Sequence, residues 1–325
     1  MRTTPIAIIA GLMCVSPLAS AHAQQYPSKP VTIVVPYAAG GTTDTMARML
    51  GGRLEKRLGQ TFVVENKPGA ASSIGAAYVA KAAPDGYTLL LATSTTMAIN
   101  VSIYKKLAYD PTKDLTPVAL IAGIPFLLVV NPATEVKSIP DLVKLAKAQK
   151  GGLPFGSNGH GGAGHLNMAM LNTMTDTEMT QVPYKGLAPA LNDTVAGHVK
   201  VMFGDFSTAY PLVKAGKLRA LGVSTKQRVA AAPEIAPLNE AGLPGYDVSS
   251  WQMVVAPGGT PKEIIAKLNA ELRGILSDKD VVAGFNRRGI IPLVSGSPEE
   301  LQAFVKSEIV RWGAVVKKAG AAGVQ

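Results

Sequence analysis

The sequence predicts an α/β protein made of two units, each a largely parallel sheet with helices on its faces. Three observations carry this. Short β-branched apolar runs alternate with helical patterns from residue 31 to residue 92. The alternation restarts after residue 131 and continues to 224. In each half a strand ends in a glycine loop that opens a helix.

Residues 31–58 organise the first unit. Val31, Thr32, Ile33, Val34 and Val35 suit a buried strand. Gly40 and Gly41 interrupt the pattern. Met46, Ala47, Leu50, Leu54 and Leu58 then recur at helical spacing, and Gly59 is a stop signal. The first turn of such a helix carries unpartnered N–H groups and the positive end of the dipole. Adjacent glycines let an anion approach those groups closely. Two readings fit the stretch equally: a carboxylate seat, or simply a tight turn.

The remaining elements follow in order. Residues 61–65 read as a second strand. Ser72 or Ser73 is placed to cap a helix reaching about 82. Residues 87–92 form a third strand, completing a β-α-β-α-β succession. Ligands in such sheets bind beyond the carboxyl ends of strands, where Gly40, Gly41 and the run 93–96 sit. Residues 116–130 are strand material leading out of this unit. Ser138 caps a helix with Pro140 in its first turn, ended by Gly151 and Gly152. Strand 153–157, loop 158–164 and helix 165–174 follow. Next come strand 179–183, helix 188–196, strand 199–203, helix 210–215 and strand 218–224. An extended run at 248–256 carries Trp251 back towards the first unit. Helix 262–276 shows an apolar face of Ile264, Ile265, Leu268, Leu272 and Ile275. A strand near 290–294 and a helix over 298–318 end the chain.

The N-terminus predicts export. Arg2 precedes an apolar run at 6–19, and Ala21, His22 and Ala23 make a small-x-small cleavage site. The run is too short to span a bilayer comfortably. A signal peptide over 1–23 leaves a mature chain starting near Gln24. The single cysteine, Cys14, falls inside the leader; Met13 argues against lipidation there. Without it no disulfide is available, and packed cores must supply stability. About 300 mature residues suit roughly two domains, and no further segment is long and apolar enough for a membrane span. The net charge is +10, but the cations are scattered and no run interleaves them with aromatics. Nucleic acid is therefore not an expected partner; a field drawing in small organic anions is the expected use of the charge.

The motifs favour binding over catalysis. Residues 159–164 match the G-x-G-x-x-G spacing, but lie late in an exported chain, and Asp176 and Glu178 precede the next strand instead of ending it. A glycine-rich anion loop or a plain turn fits instead. His160 and His165 have no Asp, Glu or Cys at metal spacing, so no metal is expected. No G-x-S-x-G occurs, and no pair of carboxylates stands out; no enzyme activity and no cofactor is expected. Tyr184 could line a cleft or be partly buried. Trp251 could pack in a core or touch a ligand. Asp205, at a strand end, could accept from a ligand amine or from the backbone.

Eight stretches taken together, 36–44, 64–70, 83–87, 109–114, 155–166, 182–197, 216–221 and 251–261, resemble the extracytoplasmic solute receptors of tripartite tricarboxylate transporters, the Bug family. The resemblance covers nearly all of the mature chain. It implies a type II periplasmic binding protein: two α/β domains joined by crossing hinge strands, with a ligand cleft between them. Residues 24–125 with 251–325 would form one domain and 126–250 the other. It also implies that a small carboxylate is held by the loops near Gly40 and near 157–165, from opposite sides. Asp44 would cap N–H groups. Two positions depart from the family: Ala39 stands where proline is usual, and Gly162 where serine is common. The expected ligand-contacting residues are Tyr37, Gly40, Gly41, Thr42, Asp44, Thr95, Thr96, Ser157, Gly161, Gly162, His165, Tyr184 and Asp205. The implied function is that of a monomeric periplasmic receptor handing an organic acid to membrane permease subunits. The alternative is a ligand-loaded receptor that signals to a sensor kinase.

Overall fold

The computed structural model describes residues 26–293, 295–318 and 321–323. The expected leader 1–23 with Cys14, the start at Gln24, and Val294 lie outside these residues. Among the described residues no helix is long and apolar enough to cross a membrane.

The first half opens with β1 (Val31–Val35), α1 (Thr42–Leu58), β2 (Phe62–Asn66), α2 (Ser73–Ala80) and β3 (Thr88–Thr93). β1 lies between β2 and β3, parallel to both. Its alternate residues serve two cores. Ile33, Leu89 and Leu91 pack with Leu50 and Leu54 of α1. Val34 and Leu90 pack with Val79 of α2 on the opposite face. A sheet covered on both sides needs continuously apolar strands, as the sequence has. Gly59 adopts the left-handed conformation (φ 70°) and donates its N–H to the Glu55 carbonyl, closing α1.

After a π-helical turn (Thr95–Ile99) and α3 (Asn100–Ile103) comes β4 (Leu115–Val130), a strand of 16 residues. At about 3.3 Å per residue it is roughly 50 Å long and serves both halves. Through Pro125 it pairs antiparallel with β9 (Ser249–Pro257). From Phe126 it pairs with β7 (Val201–Asp205), and from Leu127 also with β8 (Arg219–Val223). The second half comprises α4 (Ile139–Ala148), β5 (Pro154–Ser157), α5 (Ala163–Thr175), β6 (Thr180–Pro183), α6 (Leu187–Ala196), β7, α7 (Phe206–Lys214) and β8. Here β5 lies between β6 and β7, parallel to both.

The chain returns along β9, which joins β3 in the first sheet. It continues through α8 (Lys262–Ser277), α9 (Lys279–Arg287), β10 (Ile291–Pro292) and α10 (Pro298–Lys318). Ser224 fastens the crossing: its hydroxyl accepts from the Phe126 N–H (2.9 Å) and donates to the Val248 carbonyl (2.6 Å). Trp251 is core: it is buried, and its indole N–H donates to Glu308 of α10 at 2.6 Å.

Some elements differ locally from the sequence expectation. Ser72 sits at φ 76° and makes no side-chain cap bond; a capping serine needs extended backbone, and its hydroxyl instead accepts from Thr96. Helix α5 begins two residues before His165, with Gly162 as its N-cap. Helix α7 begins at Phe206, not Tyr210, and tolerates Pro211 inside it. Helix α9 is an element not expected from the sequence; its buried residues, Val281 and Phe285, stand four apart on one face. The strand expected at 290–294 pairs with β4 only at Ile291 and Pro292.

Candidate functional site

The carboxyl ends of β1, β3, β5, β6 and β7 converge, as the loops of parallel strands do. A cavity of about 40 Å³ lies where they meet. Tyr37, Gly41, Thr42, Asp44, Thr95 and Gln252 line it from the first half; Phe126, Asn158, Ala163, Gly186, Leu187 and Asp205 line it from the second. Contacts across the halves surround it. The Ala38 N–H donates to the Lys185 carbonyl at 3.3 Å, and the Thr42 and Ser207 hydroxyls are 2.8 Å apart. A β-carbon added at Gly159 would lie 3.6 Å from the Ala71 nitrogen, and one at Gly161 would press on Ile103. The two halves are therefore closed on each other.

Helices α1, α5, α6 and α7 all start at this cavity, and their N-caps Gly41, Gly162, Gly186 and Asp205 supply no side-chain cap bond. Three of these caps are glycines with no side chain to offer. First-turn N–H groups have no intrahelical acceptor, and the dipole places partial positive charge there. An anion between α1 and α6 would be met by N–H groups from both halves. At α5 the Gly164 N–H is already taken by the Asn158 side-chain oxygen (3.1 Å). The lining contains no lysine, arginine or histidine, so the donors it offers an anion are backbone N–H groups, hydroxyls and side-chain amides.

Asp44 faces two ways. Its carboxylate accepts from the Gly40 N–H (3.0 Å), from Arg48 (3.0 and 3.1 Å) and from Asn66 (3.1 Å). Burial pushes its pKa up, but those hydrogen bonds outweigh burial and hold it below the usual carboxylate range. Asp205 behaves oppositely. Burial pushes it up to about 6, offset in part by a hydrogen bond from Thr42. Tyr37 is also raised by burial, against hydrogen bonds from Thr93, Thr95 and Ser72; its hydroxyl lies 2.9 Å from that of Thr93. Gln252 is 2% exposed; its amide nitrogen donates to Thr43 at 3.1 Å and its carbonyl oxygen has no partner among the described residues.

Of the residues expected from sequence, the cavity brings together Tyr37, Gly41, Thr42, Asp44, Thr95 and Asp205. The others lie behind or beside it. Gly40 is exposed and commits its N–H to Asp44. Thr96 is buried and donates to Ser72. Ser157 is fully buried and accepts from the Gln181 side chain at 2.6 Å. Gly161, at φ 74°, abuts Ile103, and Gly162 abuts the Asn158 side chain. His165 stacks on Phe155 and accepts from the Gly161 N–H; burial, then neighbouring His160, pushes its pKa down to about 4. Tyr184 donates to Asp193 at 2.6 Å. Most of the 157–165 loop is thus a second layer, reaching the cavity only through Asn158 and Ala163.

The turn at Gly186 takes the facing position. It repeats the strand–glycine–helix signature of Gly41, so the rule that applies at residue 41 also finds it at 186. Gln252, Thr43 and Phe126 carry no such signal, since strand crossing alone brings them to the site.

The family model of the tripartite tricarboxylate transporter family receptor matches residues 46–321. The structure is similar to that of Rpa4515 from R. palustris with adipate, at TM-score 0.88 and 40% identity, covering 91% of this chain and 99% of that one. It is similar to the periplasmic binding protein BugD, at TM-score 0.87 and 34% identity, covering 91% and 99%. It is also similar to MatC (Rpa3494) from Rhodopseudomonas palustris with bound malate, at TM-score 0.84 and 36% identity, covering 90% and 100%.

Proposed function

This chain belongs to the tripartite tricarboxylate transporter receptor family, and from that premise we propose that it is a periplasmic solute receptor. It captures a small organic carboxylate between its halves and closes on it. It then delivers the acid to the membrane subunits of a tripartite tricarboxylate-type transporter. The ligand leaves chemically unchanged, and the receptor works as a monomer. The moving bodies in this reading are residues 24–125 with 251–325, and residues 126–250.

The observation that carries this reading is the pair of glycine-capped helix starts, α1 and α6, that line one cavity from opposite halves. An anion bridging them favours the closed arrangement over the open one, which is the differential contact that closure requires. The similar proteins solved with adipate and malate support a carboxylate as the ligand class. The test is calorimetry over C4 to C6 organic acids. A micromolar ligand, worth about −8 kcal/mol, is expected, and it should be recovered unaltered after release. Failure of every acid to bind would overturn the reading. Delivery is tested by uptake of the same acid in cells with and without the receptor gene.

A further inference from the structure

Resting on the receptor reading, we propose that the groove between α1, α7 and α9 docks an acidic segment of a partner polypeptide, and that the groove is complete only while the two halves are closed. It holds about 700 Å³ and lies outside the ligand cavity. Met46 and Met49 of α1 and Phe285 of α9 give it an apolar lining from the first half; Ser207, Thr208 and Pro211 of α7 line it from the second. Arg53, Arg287 and Arg288 stand along it, against one carboxylate, that of Asp280.

Charge on this face is unbalanced. Arg53 already pairs with Asp278 and Asp280. Arg287 and Arg288 are exposed, and neither enters an ion pair among the described residues. Ile290 joins the groove to an adjoining pocket of about 380 Å³ that carries Lys226 and Arg228. There Arg228 is taken by Glu240, and Asp247 accepts from the Lys226 backbone N–H. The surplus is positive, so the fitting occupant is negative. These cations stand in water, where a single ion pair contributes only about 0–1 kcal/mol, and a small free anion gains little from them. A polypeptide that brings several carboxylates and seats an apolar side chain on the methionines gains from all of them at once. The unbranched, polarizable methionine side chain adapts to such a guest.

The groove reports closure because the seam between the halves runs through it. Thr42 lines both the ligand cavity and the groove, and its hydroxyl lies 2.8 Å from that of Ser207. Next to the two arginines, Gly289 (φ 65°) passes so close to the Phe206 ring of α7 that an added β-carbon would overlap it. Opening the halves draws α7 away from α1 and α9 and parts the two sides of the groove. A partner that needs both sides therefore binds the closed receptor in preference to the open one.

The test locks the full mature receptor shut. A β-carbon at Gly186 would lie 3.6 Å from that of Ala38, within disulfide range, and Cys14 of the leader is the chain's single cysteine. Ala38→Cys with Gly186→Cys should hold the halves together until dithiothreitol frees them. The probe is a fluorescein-labelled synthetic peptide of glutamates interrupted by leucine and phenylalanine, read by anisotropy. It should bind the locked receptor at least tenfold tighter than the reduced one. Arg287→Gln with Arg288→Gln, both exposed positions, should weaken it at least tenfold in the locked protein, and added salt should weaken it too. Equal binding to the locked and reduced forms would overturn the proposal, as would no binding, or binding that survives loss of both arginines. Displacement of the peptide by an equal concentration of citrate would show a site for free anions and overturn it as well. In cells, the Arg287→Gln, Arg288→Gln receptor should keep its calorimetric affinity for its acid yet support at least tenfold slower uptake; unchanged uptake would count against the groove and leave the receptor reading standing. Failure of the wild-type protein to bind any acid would overturn the receptor reading, and the peptide result would still decide the groove.

Discussion

Gly41 and Asp44 hold the first turn of α1 in place by different means. Gly41 has φ −80°, which any residue can adopt, and a β-carbon there meets nothing nearer than 3.9 Å. Gly41→Val should therefore still fold, with only the modest loss of stability that a poorer N-cap brings, yet fill the approach to the N–H groups. Calorimetry should show binding of any carboxylate ligand lost; retained affinity would remove Gly41 from the site. Gly161 is a different case. Its φ of 74° and its closeness to Ile103 mean that a side chain there strains the backbone and pushes on the other half. Asp44 is held charged by three hydrogen-bonding partners. Its depressed pKa contributes stability that is present above the ordinary aspartate value of about 3.9 and is lost as pH falls through the lower folded value. Asp44→Ala should cost about 2 kcal/mol at neutral pH. The difference between variant and wild type should shrink in urea melts taken down through the ordinary aspartate range. A constant difference would remove Asp44's charge from the account.

At the scale of elements, the crossing of β4 and the return into β9 decides how the halves are joined. Both passages are tied through one buried hydroxyl, that of Ser224. Ser224→Ala leaves the Phe126 N–H and the Val248 carbonyl without a side-chain partner. Such losses cost about 1–3 kcal/mol, and the urea midpoint should fall accordingly. An unchanged midpoint would show that the crossing is held by its backbone ladders alone. Helix and strand periodicity makes most elements legible: β1, α1, α4 and α10 stand within a few residues of their sequence boundaries. Helix α7 is less legible because Pro211 reads as a breaker, although it only deprives the Ser207 carbonyl of an N–H donor. Helix α9 is amphipathic, with Val281 and Phe285 buried four residues apart; it is less legible because a single residue separates it from α8.

At the scale of the molecule, the excess of cations lies outside the cavity lining. It can raise the local concentration of anions near the protein, while in the proposed function the final contacts belong to helix starts and hydroxyls. If the protein works as proposed, closure is the step most exposed to small changes at the seam. Gly186 has φ 167°, extended backbone open to any residue, and a β-carbon there would lie 3.4 Å from the Ala38 nitrogen. Gly186→Val should thus still fold, with only the modest loss of a poorer N-cap, yet wedge the halves apart. We expect at least tenfold weaker binding. In small-angle scattering, saturating ligand should contract the wild-type protein and leave the variant unchanged. Normal contraction in the variant would place the seam elsewhere.

Residue order alone was enough to set the alternation of strands and helices, the glycine loop that opens α1, and the family to which that order belongs. These follow from local rules: apolar periodicity, capping and the freedom of glycine act over a few residues. It took the folded chain to establish that Gly186, and not most of the 157–165 loop, faces Gly41, and that Gln252 joins them from a strand far along the chain. Which groups share a cavity depends on strand order and crossing. Those are settled by the packing of whole faces, and no short stretch of sequence records them.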